Sequence, residues 1–200
     1  MRMMRFVLAA FVGLGLSACV QVKTPIGTSV GYVNDPALEG LWIGKPDEKK
    51  PAGYYHVILN DNRTMTVIGI SPRSGDDKAS WGVVELTTVV LGGHHYLNAR
   101  EISESGGDPD KTYDKAAFYP LYYELKGDTL ALFTFDEAKV KAAIQAGRIQ
   151  GTITSNKLGS MGAYDTVAIT ADGAHLDALL KAPDAPALFD PLMEMHRAHF

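Results

Sequence analysis

The sequence predicts an α+β fold: a mainly antiparallel β-sheet, curled into a barrel or folded as a sandwich, with C-terminal helices gathered late. Three observations predict it. From residue 38 to 135 apolar side chains recur mostly with period two, the repeat of a half-buried strand. Turn signals at Asn60-Asp61-Asn62, Gly92-Gly93 and Lys126-Gly127-Asp128 separate strand-like runs at hairpin spacing. After residue 135 helix formers with acidic starts and Gly or Pro stops appear. Curling such a sheet removes unpaired edges, which suits many sequential hairpins.

Leu41, Trp42 and Ile43 form a short apolar strand after Gly40. Tyr54 to Leu59 and Thr64 to Ile70 flank the Asn/Asp turn and predict a hairpin. Ser80 to Leu91 is rich in Val and Thr, as strands are, and His94 to Ile102 returns beside it after the two glycines. Residues 103–116 are polar and predict a loop. Leu121 to Leu125 and Thr129 to Phe135 make the clearest hairpin, with Leu121, Tyr123 and Leu125 on one face.

The helices are expected near 136–146, 172–182 and 186–198. Asp136 opens the first, which presents Val140, Ala143 and Ile144 on a narrow apolar face and stops at Gly147. Asp172 caps the second, carrying Leu176, Leu179 and Leu180 to a stop at Pro183. Pro186 opens the third, with Pro191 in its early part. Two strands, near 151–155 and 165–170, lie between the first and second helices. No internal repeat of domain-building length is present.

The first residues carry an address. Arg2 and Arg5 precede an apolar run, Phe6 to Leu16, too short for a comfortable membrane span. Leu16-Ser17-Ala18-Cys19 follows, and Cys19 is the chain's one cysteine. This tetrapeptide resembles the lipobox of bacterial lipoproteins. The resemblance implies a signal peptide over residues 1–18, cleavage before Cys19, and diacylglycerol on its thiol. Two or three acyl chains hold a protein on a membrane stably, where one does so only marginally. Val20 and Gln21 stand where an aspartate would imply inner-membrane retention, so the expected location is the outer membrane, facing the periplasm. Residues 19–36 (Val20 onward rich in small, polar, Gly and Pro residues) predict a lipidated tether of roughly 20 Å reach. Residues 37–200 are expected to form a single β-rich domain.

Composition narrows the partners. Without Arg2 and Arg5 the 19 basic residues become 17 against 23 acidic, a net charge of −6, which argues against nucleic acid. With Cys19 lipidated no intramolecular disulfide forms, so packing alone holds the domain.

Gly40-Leu41-Trp42 resembles the Gly-x-Trp at the first strand of lipocalins. In that family the tryptophan plugs one end of an eight-stranded barrel, and some bacterial members are outer-membrane lipoproteins. The helix near 136 departs from the pattern, since it arrives after six or seven strands rather than eight.

Candidate chemistry is sparse. His94-His95, with Glu101 and His56, suggests a metal, but adjacent strand residues point to opposite faces and zinc needs three or four converging ligands. His196 and His199 would share a helical face near the end of the chain. Asp108-Pro109-Asp110 with Asp114 fails calcium-loop spacing, because Thr112 and Tyr113 stand where Asp or Asn and Gly are needed. Gly159-Ser160-Met161-Gly162 is not a nucleophile elbow. Tyr54, Tyr55, Trp81, Tyr96, Tyr113, Phe118, Tyr119, Tyr122 and Tyr123 would line a cavity or a binding face, or sit half-buried on strands with wet hydroxyls. The expectation is therefore no catalytic or metal site and no cofactor beyond the acyl lipid on Cys19. The expected role is a membrane-anchored binding or structural module, taking a small apolar ligand or an envelope protein; the alternative is a cell-envelope enzyme or enzyme inhibitor.

Overall fold

The computed structural model describes residues 20–46, 51–73, 79–104, 118–157 and 163–199. Cys19, the 108–114 acidic segment, Tyr113 and the 159–162 segment lie outside the described residues. Eight strands close into an antiparallel barrel. In chain order they are β2 (Gly40–Gly44), β3 (Tyr54–Leu59), β4 (Met65–Ser71), β5 (Ser80–Leu91), β6 (His94–Glu104), β7 (Tyr119–Lys126), β8 (Thr129–Phe135) and β11 (Phe189–Arg197). Each pairs with the next in sequence, and β11 closes the ring between β8 and β2.

The period-two pattern becomes inside and outside. Trp42 pairs with Tyr55, Val57 with Val67 and Val67 with Val84, all buried in the barrel. Their neighbours Tyr54, Ile68 and Ile70 face outward and are exposed. Gly92 and Gly93 take positive φ in the β5–β6 turn, as Gly127 does in the β7–β8 turn, a conformation that suits hairpins.

The chain leaves the barrel after β8 and returns at β11. Between them lie α1 (Glu137–Gln145), β9 (Gly151–Lys157), β10 (Ala163–Ile169) and α2 (Gly173–Leu180). The Asp136 side chain caps α1 by accepting from Lys139 N, and Asp172 caps α2 by accepting from His175 N. The excursion packs on the outer wall of β5 to β8, where Val140, Leu176, Leu180 and Ile169 meet Val89, Tyr96 and Phe135. A second core thus forms outside the barrel. The helix near 136 interrupts the barrel between its seventh and eighth strands, which explains why it arrives early in sequence.

Two expectations are corrected. Residues 186–198 are not a helix: a 3₁₀ turn at Ala185–Leu188 leads into strand β11. Pro191 lacks the N–H an interior helical residue needs, and it sits where the register shifts against β8, a place sheets tolerate proline. His196 and His199 therefore share no helical face.

Residues 20–36 are not a free tether. Strand β1 (Gln21–Val22) pairs in parallel with β10, and Val22 exchanges backbone hydrogen bonds with Phe118 before β7. Val20, Val22 and Ile26 are buried in the outer core. Asn98 acts as a strand substitute: its carboxamide accepts from Ile26 N at 2.7 Å and donates to Ile26 O at 2.9 Å. The buried carboxylate of Asp177 on α2 accepts from Gly27 N, Ser29 N and the Ser29 hydroxyl. The segment is a strap bolted down the barrel wall.

Candidate functional site

The strap ends by crossing one mouth of the barrel. Val33 bridges Thr88, then Asp35 caps a 3₁₀ turn at Pro36–Leu38. Leu38 and Trp42 are both almost wholly buried beneath it. The Trp42 indole N–H donates to Leu38 O at 2.8 Å, so the ring is satisfied inside an apolar core. Arg197, at the end of the last strand, places its guanidinium 4.3 Å from the Trp42 ring centre. It also donates to the carbonyls of Ala37 and Glu39. Strap, first strand and last strand are thus pinned at one point.

The interior above this plug is mainly apolar and holds the phenols of Tyr55 and Tyr123, with Tyr119 packed against the same core. The Tyr123 hydroxyl donates to the Asp35 carboxylate at 2.7 Å. Burial, then the Asp35 hydrogen bond and charge, push the Tyr123 phenol well above its usual range. Burial also pushes the Tyr55 phenol up. Tyr55 lies in one cross-strand row with Gly69 and Gly82, both buried, and its ring approaches Gly44 and Gly53. A side chain on Gly53 would meet the Tyr55 hydroxyl at 2.8 Å. Glycine in these positions gives the Tyr55 ring its room at the far mouth.

The aromatic residues separate into three settings rather than one cavity. Tyr55 and Tyr123 are inside the barrel. Tyr96 and Tyr122 pack as tilted rings with Phe133 and Phe189 in the outer core. Tyr54 and Trp81 are exposed on the outer faces of β3 and β5, clear of that core. The Tyr96 hydroxyl donates to Leu180 O, that of Tyr122 to Glu124 and that of Tyr123 to Asp35.

His94 and His95 diverge as adjacent strand residues must. His94 lies edge-on to Tyr96 and Tyr122 outside the barrel, while His95 Nδ1 is 3.3 Å from the Tyr123 hydroxyl. His56 is on the outer wall of β3. His196 contacts Thr129 and Glu194, whereas His199 pairs with Asp128. Among the described residues, no three His, Cys, Asp or Glu side chains converge as metal ligands. Asp35, Asp177 and Arg197 organise the plug and the strap, and sequence reading missed them. The Asp35-Pro36 pair, a cap followed by proline at the first helical position, was the available signal for the first. No family model, curated protein or solved structure matches this chain.

Proposed function

We propose that this protein is a lipid-anchored, lipocalin-like binding module of the cell envelope. Its barrel would take one small apolar ligand, and Cys19 would carry the anchor. The observation that supports this most is the barrel plugged at one end by Trp42. That is the role the Gly-x-Trp resemblance implies for Gly40-Leu41-Trp42. Eight strands enclose an interior that side chains fill or that holds one small ligand. Tyr55 and Tyr123 supply polar handles in a largely apolar lining, the usual chemistry of such sites.

Native mass spectrometry tests both halves. The wild-type chain, purified gently from its own membrane, is compared with Cys19→Ser. Acyl mass on the wild type alone, with the mutant lost from the detergent phase, supports the anchor. A second, non-covalent mass on both forms supports the ligand. Apo protein in both would refute the ligand and leave a structural envelope module. Equal detergent partitioning of the two forms would refute the anchor.

A further inference from the structure

One wall of the barrel carries no second layer from the described residues. On β3, β4 and β5, Tyr54 pairs with Ile70 and Ile70 with Trp81, side by side on the outer face. Their exposures are 42, 47 and 45 %, and Ile68 and Ile102 beside them stand at 37 and 48 %. Single exposed apolar residues are ordinary, but a contiguous row across neighbouring strands is not.

The position of this row matters. It lies near the start of β3, the end of β4 and the start of β5, the barrel end away from the Trp42 plug. The strap begins at that same end, because Val22 bridges Phe118 just before β7. The two are linked around the wall. Glu85 on β5 pairs with Arg100 on β6, whose guanidinium lies 5.9 Å from the Phe118 ring centre. Val20 is buried at 3 % exposure, and Cys19 is one peptide away, about 3.8 Å between α-carbons. A lipid on Cys19 would therefore sit close to this end of the barrel and would bring this rim toward the bilayer.

We propose that the Tyr54–Ile70–Trp81 face docks on the phospholipid bilayer. The inference rests on the anchor reading above. Trp and Tyr suit the headgroup boundary, with a ring toward the acyl chains and a polar group toward water. The isoleucines supply apolar area. The anchor raises the local concentration, so a face too weak to bind alone stays engaged. Because the mature chain is acidic, the fitting surface is zwitterionic rather than anionic.

The test uses the lipidated full chain in phosphatidylcholine vesicles whose acyl chains are brominated, a contact quencher of tryptophan. The chain has two tryptophans, and Trp42 is inside the barrel, so Trp81 reports. Quenching is expected in the wild type and absent in Trp81→Phe. Ile70→Asp is expected to lower it by about two-fold or more, since a carboxylate resists the hydrocarbon. Mass spectrometry of the same sample reads the lipid on Cys19. Lipidated protein with Trp81 unquenched overturns the docking face and leaves the anchor standing. Unmodified Cys19 overturns the anchor, and if that chain also shows no quenching the docking face falls with it. A concentration-dependent dimer of Cys19→Ser, abolished by Ile70→Asp and with Trp81 unquenched, assigns the face to a second copy and overturns the proposal.

Discussion

The Arg197 guanidinium covers the Trp42 ring at 4.3 Å, joining the last barrel strand to the first. The same fork donates to two carbonyls of the turn that caps the mouth. One side chain therefore carries a cation–π contact and two hydrogen bonds, and removing it leaves the ring and both carbonyls without it.

Arg197→Ala is expected to cost about 2 kcal/mol, from the lost ring contact and two lost carbonyl bonds. Arg197→Lys should recover only part, because a single ammonium cannot reproduce the fork. Urea unfolding measures it. An unchanged midpoint in Arg197→Ala would show that the pin contributes nothing.

Asp177→Ala removes an acceptor that serves three donors of the strap. Leaving buried donors unmet costs about 3 kcal/mol. The loss should be local first: hydrogen exchange at residues 26–31 is expected to accelerate more than exchange in β7 or β8. Uniform acceleration would contradict a strap held by this carboxylate.

Gly92 and Gly93 share a turn and differ in what lies above them. A side chain on Gly92 would meet Lys181 O at 2.3 Å, while the space over Gly93 is open. Both have positive φ, which costs a non-glycine about 1 kcal/mol or a little more. Gly93→Ala should cost about that much, and Gly92→Ala about twice as much or more, since the obstacle is backbone. Thermal melts of the pair decide it, and equal costs would place the β5–β6 turn elsewhere than against α2.

Alkaline pH should unfold the protein. Burial, the Glu124 hydrogen bond and its charge push the Tyr122 phenol up to about 12, and Tyr96 and Tyr123 are raised as well. The folded chain keeps these protons after the unfolded chain, ionising near pH 10, has lost them. The stability they confer is complete below pH 10 and drains as pH rises through the folded values. Urea midpoints between about pH 9 and 11.5 should fall, with a shallower fall in Tyr123→Phe. A flat profile would mean these hydroxyls meet water.

The hairpins were legible because their signals are local. Asn60-Asp61-Asn62, Gly92-Gly93 and Lys126-Gly127-Asp128 announce turns, and alternation announces faces. The two true helices were legible from Asp136 and Asp172, whose caps are formed by neighbours. Strand β11 was not. Its segment contains Ala, Leu, Met and Glu, good helix formers, and only pairing with distant β2 and β8 makes it extended. The strap was misread for a related reason. Its partners Asn98, Phe118, Ile169 and Asp177 are remote in sequence. Trp42 was legible as a core aromatic at a strand start. Its partner Arg197 sat in the misread segment.

The route of the chain between β8 and β11 also sets the order of assembly. The contacts from Arg197 to the turn before β2 span 158 and 160 residues. During synthesis β2 is made early and must wait, with one edge bare, for β11 to arrive. Long-range closure of this kind is slow because the loop entropy is lost before any contact is gained. A nascent chain cannot form the ring until strand β11 has emerged. The architecture thus keeps its own barrel open until that strand is made.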